Sequence, residues 1–431
     1  MMLQTVPESS NKLAFVLRRR FEFGCTLLLA AVLPWALSRW LITDTTFDAA
    51  VFHNTLIANV LAICLALWIR ISVSTYPGIR AGQIVLPAVF VAHSAILILL
   101  VLARIPYHRP SLGLGVAIHL VIAFAIYFFV SRRFRPRIAI VPVGNTDQLR
   151  QIDRVDWRML HVPDLARSRD CHAIVADFDD LPDEWEAFLA DAALEGRMVY
   201  QIQQLLESLT GRVQVRHLSE NSFGSLVPAR AYSAIKHLGD WLLAVVMLPV
   251  LIPVLGVTAL AILLVDGGPV LFRQRRTGRQ GRQFWVVKFR TMRNGGEIAG
   301  EIEDHRLAAM TDAGDERITK LGGFLRRSRI DELPQVWNIL TGEMSWIGPR
   351  PEAEVLSAWY TGDIPFYRYR HVVRPGISGW AQVNQGHVAE VDDIHLKLQY
   401  DFFYIKYFSP WLDVLIVFRT IRTMLTGFGS K

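Results

Sequence analysis

Four long apolar runs open the chain, at about 22–42, 50–69, 83–103 and 113–130, each bounded by polar or charged residues. Each is close to the ~20 residues that a helix needs to cross a hydrocarbon core, so the pattern predicts a four-helix transmembrane domain over 21–131, behind a polar segment at 1–20. From 138 to about 217 the apolar stretches become short. RIAIVPVGN, HAIVADF (172–178) and RMVYQI (197–202) predict strands, and DEWEAFLADAALEG (183–196) predicts an amphipathic helix. Strand and helix alternate, so 132–217 reads as a small doubly wound, Rossmann-like α/β domain. A linker follows at 218–235, then a fifth apolar run, Trp241–Val265. Beyond it, Val270–Gln274 and Phe284–Phe289 predict strands joined by the basic loop Arg275–Arg282, and 294–316 is a polar loop. The last stretch, YDFFYIKYFSPWLDVLIVFRTIRTML, is rich in aromatic and basic residues. Its apolar core is too short to span comfortably, so it predicts an interfacial helix, with packing against the protein core as the close alternative.

Charge orients these segments. Arg18–Arg20 precede the first run, Arg132, Arg133, Arg135 and Arg137 follow the fourth, and the link at 43–49 holds Asp44 and Asp48 without a basic residue. The positive-inside rule places both ends of the four-helix domain in the cytoplasm. The fifth run is flanked by Lys236 and His237 on one side and by Arg273, Arg275, Arg276 and Arg279 on the other, so both its ends also belong in the cytoplasm. Pro249 and Pro253 fall near its middle, and proline removes a helical hydrogen bond. A re-entrant helix over 241–265, broken at Pro253, reconciles length with charge. His93 and His119 lie inside apolar runs and read as packed, neutral side chains.

Over 431 residues, 52% are hydrophobic and the net charge is +7, which suits an anionic membrane surface and a phosphorylated substrate. No basic helix or aromatic-basic module points to nucleic acid. Cys25, Cys64 and Cys171 are scattered and form neither a disulfide framework nor a zinc pattern. No cleavable signal peptide is expected, since no cleavage site follows the first apolar run. In the α/β domain only Gly144 stands in the turn after the first strand, so a structural or regulatory role is expected there before dinucleotide binding.

The stretch with most chemical promise is SRIDELPQVWNILTGEMSWIGPRP, from Ser328 to Pro351. Ser328, Asp331 and Pro334 predict a helix start, and Leu333, Val336, Trp337 and Leu340 predict its buried face. Asp331 and Glu332 stand side by side among Arg326, Arg327 and Arg329. One carboxylate could attack phosphorus while the other holds a divalent metal. The helix dipole and the arginines would keep both ionised. Lys288 and Arg290 fall on one side of an extended strand, and Arg374 precedes a Pro-Gly turn.

Several segments recur in order: KHLGDWLLAV…IPVLG, GGPVLFRQRRTGRQGRQFWVVKFRTM, DERITKLGGFLRRSRIDELPQVWNILTGEMSWIGPRP, RPGISGWAQVNQG and YDFFYIKYFSPWLD. Over about 232–431 the chain resembles the bacterial polyprenyl-phosphate phosphoglycosyl transferases. Its layout as a whole resembles the large subgroup typified by undecaprenyl-phosphate glucose or galactose phosphotransferases. The resemblance implies a phosphoglycosyl transferase domain at 236–431 on the cytoplasmic face of the bacterial inner membrane. It implies transfer of a sugar 1-phosphate from a UDP-sugar (UDP-glucose or UDP-galactose, though no motif separates these from an N-acetyl sugar) to undecaprenyl phosphate. UMP leaves, and the product initiates exopolysaccharide, capsule or O-antigen synthesis. By carry-over Asp331 is the nucleophile of a phosphosugar-enzyme intermediate and Glu332 binds Mg2+. Lys288, Arg290, Arg326, Arg350 and Arg374 match basic positions assigned to the diphosphate or the polyprenyl phosphate. Pro253 matches the break of a re-entrant helix, with Ile252 where the family usually has serine. The family's Asp-Ser-Pro-Gly-Pro exit reads Val265-Asp266-Gly267-Gly268-Pro269 here. Membrane lipid and downstream glycosyltransferases are implied partners, and the α/β domain could support a homo-oligomer such as a dimer. Two other readings stay open: a Mg2+-dependent phosphohydrolase using the same dyad, and a non-catalytic membrane sensor of nucleotide sugars.

Overall fold

A computed structural model describes residues 20–41, 49–74, 81–128, 136–214, 228, 230–293, 317–385 and 391–426, apart from 145, 154 and 180. The polar N-terminal segment, the 43–48 link, Arg132–Arg135, most of the 218–235 linker and the 294–316 loop lie outside the described residues. The chain forms two units, Met1–Thr210 and Gly211–Lys431.

The first unit begins with four apolar helices, α1 (Arg20–Leu41), α2 (Ala49–Ser74), α3 (Ala81–Leu102) and α4 (Arg109–Ile126). With α8 below, five helices among the described residues are long and apolar enough to cross a membrane. Small residues let the backbones approach: Ala30 and Ala31 of α1 pack on Ile63 of α2, and Ala66 of α2 packs on Val89 and Ala92 of α3. His93 and His119 are buried with ring centroids 5.3 Å apart. Glu22 pairs with Arg70 across α1 and α2, which the apolar pattern did not anticipate. The α/β part is a four-stranded, all-parallel sheet in the order β2-β1-β3-β4, built from β1 (Arg137–Ile140), β2 (Asp156–Met159), β3 (Ala173–Ala176) and β4 (Met198–Gln201). Helices α5 (Asp147–Arg150), α6 (Asp183–Leu194) and α7 (Ile202–Thr210) complete it. Gly144 has φ of +74°, and a Cβ there would lie 2.3 Å from Asp177 Oδ2, so the turn after β1 needs glycine to pass the β3 end.

The second unit is built on α8, Arg230–Val265, a 36-residue helix that starts within the expected linker. Pro249 and Pro253, the second of them the expected break, both lie inside it. Each proline removes one N–H from the ladder, and packing on either side holds the remaining turns. Near its start, Tyr232 donates to Asp413 (2.6 Å), Lys236 pairs with Asp413 (2.8 Å), and Trp346 donates to the Asp240 carbonyl (3.1 Å). Just past its end, Thr319 donates to the Asp266 carboxylate at 2.8 Å. Between these ends Ala244, Leu251 and Ile262 enter the unit's core. Both ends of α8 are therefore fastened to one body. A continuous stripe faces outward, with Val246 69%, Val250 60%, Val257 70% and Leu264 77% exposed.

The hairpin β5 (Leu271–Thr277) and β6 (Gln283–Phe289) follows, extending further toward its tip than the pattern predicts. Next come α9 (Lys320–Arg327), a 3-10 segment (Ile330–Gln335), α10 (Val336–Leu340) and β7 (Ser345–Ile347), which pairs in parallel with β8 (Gly376–Ser378). Helix α11 (Glu354–Asp363) and a second 3-10 segment (Tyr367–Val372) separate those strands. Helices α12 (Trp380–Gln385), α13 (Val391–Lys406) and α14 (Pro410–Thr426) close the chain. The C-terminal aromatics do not form an interfacial belt. Phe402, Phe403, Tyr404 and Phe408 are buried, and the Tyr404 hydroxyl, 2.7 Å from the Asp413 carboxylate and 3.1 Å from the Ile347 carbonyl, is satisfied inside the unit.

Candidate active site

Asp331 and Glu332 sit on the 3-10 segment that leaves α9, not at the start of a long α-helix. Ser328 ends α9, its hydroxyl donating to the Phe324 and Leu325 carbonyls. Arg329 then turns the chain with φ of +58°, a conformation that costs energy for a residue with a Cβ. The 3-10 winding brings both carboxylates inward, leaving Asp331 8% and Glu332 5% exposed. It also changes the phase of α10. Val336 and Ile339 are buried and pack with Phe284, Val286 and Met344, whereas Trp337 is turned out to solvent, contrary to the expected face.

The two carboxylates have different surroundings. Glu332 Oε1 accepts from Arg350 Nη2 at 2.8 Å and from Arg329 Nη1 at 3.4 Å. Burial alone would raise the Glu332 carboxyl, but Arg350 and Arg329 outweigh it and hold the group below the usual carboxylate range. Asp331 Oδ1 is buried without a hydrogen-bond partner among the described residues. Burial and the Glu332 charge push Asp331 up to about 6, against the opposing pull of Lys288, Arg350 and Arg326. The expectation of two fully ionised carboxylates thus holds for Glu332 but overstates the case for Asp331. A six-residue 3-10 segment brings too little dipole to offset burial.

Of the five cations singled out in the sequence, three act on the dyad. Lys288 on β6 stands 5.2 Å from the Phe272 ring centroid and is pushed down to about 8 by burial and by Arg276 and Arg350. Arg326 on α9 is fixed by a 2.9 Å bond from Nε to Thr291 Oγ1. Arg350 is the Glu332 partner already described. Arg290 and Arg374 are placed elsewhere. The Arg290 guanidinium donates to the carbonyls of Gly268 (2.7 Å) and Asp266 (2.8 Å), clamping the turn after α8. Lys288 lies on β6 and Arg290 just past its end, and the two have different partners. Arg374 lies beside Gly342, and its charged neighbours are Arg279 and Asp240.

Sequence reasoning missed the support beneath Arg350. Arg276 donates to the Pro351 carbonyl and, through Nε, to Gln274 at 3.1 Å. Arg370 is buried, donates to the Arg350 carbonyl (2.9 Å) and Tyr367 Oη (2.8 Å), and pairs with Asp401 (2.7 Å) and Glu352 (3.5 Å). Arg370 stands two residues from an apolar pair in RYRHVVRPG, and nothing in that spacing marks it as the buried one.

The donor set fits a hard divalent cation. Mg2+ usually takes one or two protein carboxylates and completes its shell with water and substrate phosphate. The unpartnered Asp331 oxygen and the adjoining Glu332 carboxylate match that need. No group of three His, Cys, Asp or Glu gathers among the described residues, so the site is not an all-protein metal cage.

Residues 231–427 match the family described as bacterial sugar transferase. Over 407 residues, 94% of both chains, the protein is 44% identical to a UDP-N-acetylgalactosamine-undecaprenyl-phosphate N-acetylgalactosaminephosphotransferase from Aeromonas hydrophila. The chain belongs to the bacterial sugar transferase family. Two other relatives of this sugar transferase match less than half of its length. A UDP-glucose:undecaprenyl-phosphate glucose-1-phosphate transferase of Xanthomonas campestris is 43% identical over 200 residues, 46% of this chain and 39% of that protein. A UDP-galactose-lipid carrier transferase of Erwinia amylovora is 35% identical over 178 residues, 38% of this chain and 35% of that protein. These relatives establish the sugar transferase as an undecaprenyl-phosphate sugar phosphotransferase, and the resemblance read from the sequence motifs is correct.

Proposed function

We propose that this sugar transferase moves a sugar 1-phosphate from a UDP-sugar to undecaprenyl phosphate through a covalent Asp331 intermediate. The observation that carries the reading is the asymmetry of the dyad. Glu332 is bound by two guanidinium groups, while Asp331 keeps a buried oxygen with no hydrogen-bond partner. A carboxylate held back from hydrogen bonding is the better nucleophile of the two. Asp331 attacks the phosphorus that bears the sugar. The bond from that phosphorus to the bridging oxygen breaks, and UMP leaves with the oxygen. A phosphate oxygen of the lipid then attacks the same phosphorus, and the Asp331 carboxylate departs unchanged. Lys288, Arg326 and Arg350 stand where they would neutralise the phosphoryl oxygens. Glu332 would hold Mg2+, which would supply further neutralisation of diphosphate charge.

The membrane reading follows the same line. The four helices of the first unit form the transmembrane domain, with both ends in the cytoplasm by the charge rule. Helix α8 enters and leaves the cytoplasmic face, and the attachment of both its ends to one body supports this. Its outward apolar stripe would lie in lipid, next to the long-chain acceptor. We place UDP-N-acetylgalactosamine first among donors, because the relative named for it matches over 94% of both chains, whereas those named for glucose or galactose match over less than half of this chain. The product would serve downstream glycosyltransferases in surface-glycan assembly.

The test uses the full chain in nanodiscs with Mg2+, a panel of UDP-sugars, and undecaprenyl phosphate present or absent. Lipid-dependent UMP release that is lost in Asp331→Asn is the expected result. Lipid-independent turnover would mean hydrolysis, and no turnover with any donor would favour a sensor.

A further inference from the structure

A second cationic site lies in the catalytic unit, away from the dyad. The hairpin tip, the second 3-10 segment and the start of α8 enclose a cavity of about 650 Å³. Its lining includes Ser233 and His237 from α8, Arg279 and Gln280 from the tip, and Arg368 and His371 from the 3-10 segment. Neither Asp331 nor Glu332 lines it, nor does any cation that acts on them. Arg374 stands close by, since burial and the Arg279 charge both push its guanidinium down.

The charge here is unbalanced. Among the described residues no carboxylate lines the cavity, and neither Arg279 nor Arg368 forms an ion pair. The acids that act on Arg374 and His371 are already committed. Asp240 takes Lys236 at 3.4 Å and the Ser345 hydroxyl, and Glu352 takes Lys397 and Arg370. The His371 ring is held neutral, down to about 3, by burial and the Arg370 charge, so it can offer one N–H without adding repulsion. Two backbone strains frame the cations: Gln280 has φ of +59° and Phe366, two residues before Arg368, has φ of +63°. Arg279 and Arg368 are exposed at the cavity, and the forked donors of a guanidinium suit phosphate. The cavity also adjoins the start of α8, where Ile235 and Leu238 are exposed.

We propose that this cavity is a second phosphate site, in which Arg279 and Arg368 grip one phosphate group while His237, His371 and Gln280 line its walls. The phosphate could come from an anionic phospholipid headgroup, with its chains along α8, or from a soluble phosphate compound. The inference goes beyond the transfer reaction and does not depend on it.

The test compares the full-length parent with the Arg279→Gln/Arg368→Gln double variant, without UDP-sugar and with chelator present. In one arm, protein in phosphatidylcholine nanodiscs is titrated calorimetrically with inorganic pyrophosphate. In the other, protein extracted from phosphatidylglycerol membranes is examined by native mass spectrometry for retained lipid. A tenfold or greater loss in the first arm assigns a soluble source, and the same loss in the second assigns a lipid headgroup. Unchanged values in both arms overturn the proposal. Gln280→Glu keeps the question open to refutation should the double variant fail to fold. A carboxylate beside the two arginines should weaken the same arm tenfold, and unaltered binding would again overturn the site.

Discussion

Asp401→Ala is the perturbation whose cost can be followed most directly from the structure. Asp401 is 1% exposed and Arg370 4% exposed, so their pairing is made out of water. Arg370 donates to Asp401 Oδ2 twice, from Nη2 at 2.7 Å and from Nε at 3.1 Å. A hydrogen bond to a charged partner contributes about 1.5–3 kcal/mol, and breaking one side of a buried ion pair costs about 3–5 kcal/mol. Glu352, at 3.5 Å, still faces the guanidinium and should keep the loss near the lower bound, about 3 kcal/mol. For a unit of this size that corresponds to a fall of roughly 6–12 °C in Tm. Thermal unfolding of the full chain in detergent, followed by tryptophan fluorescence, reads the shift. Because Arg370 also holds the Arg350 carbonyl, UMP release should fall in the same variant well below its Tm. The double variant Arg370→Met/Asp401→Leu fills the space with apolar atoms and should recover more than half of the lost stability. A Tm for Asp401→Ala within about 1 °C of the parent would refute the assignment of this pair as the support of Arg350.

The other expectations concern the dyad and its packing. Asp331 must be ionised to attack and stands at about 6, so kcat/KM for the UDP-sugar should fall about tenfold per pH unit below that value and level off above it. A limb near 4 would contradict the burial argument. Arg350→Gln removes a cation that lowers Asp331, so its pH limb should move upward as maximal activity drops by about 10²–10³; an unmoved limb would separate Arg350 from Asp331. Chelation should abolish UMP release and added Mg2+ should restore it, whereas full turnover in chelator would remove the metal from Glu332. Gly322→Ala would put a Cβ 2.0 Å from the Thr291 carbonyl oxygen, pushing α9 from the end of β6. A stability loss of about 1–3 kcal/mol is expected in denaturant unfolding, and an unchanged midpoint would show that α9 shifts freely.

By itself the sequence determined most of the elements and the candidate acidic pair. Long apolar runs have one solution in a polar-backbone chain, the helix, and α1 to α4 and α8 follow them. Short β-branched runs such as AIV in β1 and β3 read as buried strands, whereas DWRM of β2 alternates charge and escaped notice. The Asp-Glu pair was legible because adjacency needs no folding. Tertiary structure alone decided which cations meet it. Charge acts through space, so Lys288, Arg326 and Arg350, drawn from a strand, a helix end and a turn, converge on Asp331. Arg290 is as near in sequence as Lys288, yet it is spent on backbone carbonyls at the exit of α8. Trp337 shows the same limit for packing, since a 3-10 turn advances three residues where the pattern assumed 3.6, and Trp337 faces out while Val336 stays buried. A hydrophobic period survives translation into structure only while the winding stays constant, and a charge is assigned only once the chain has closed around it.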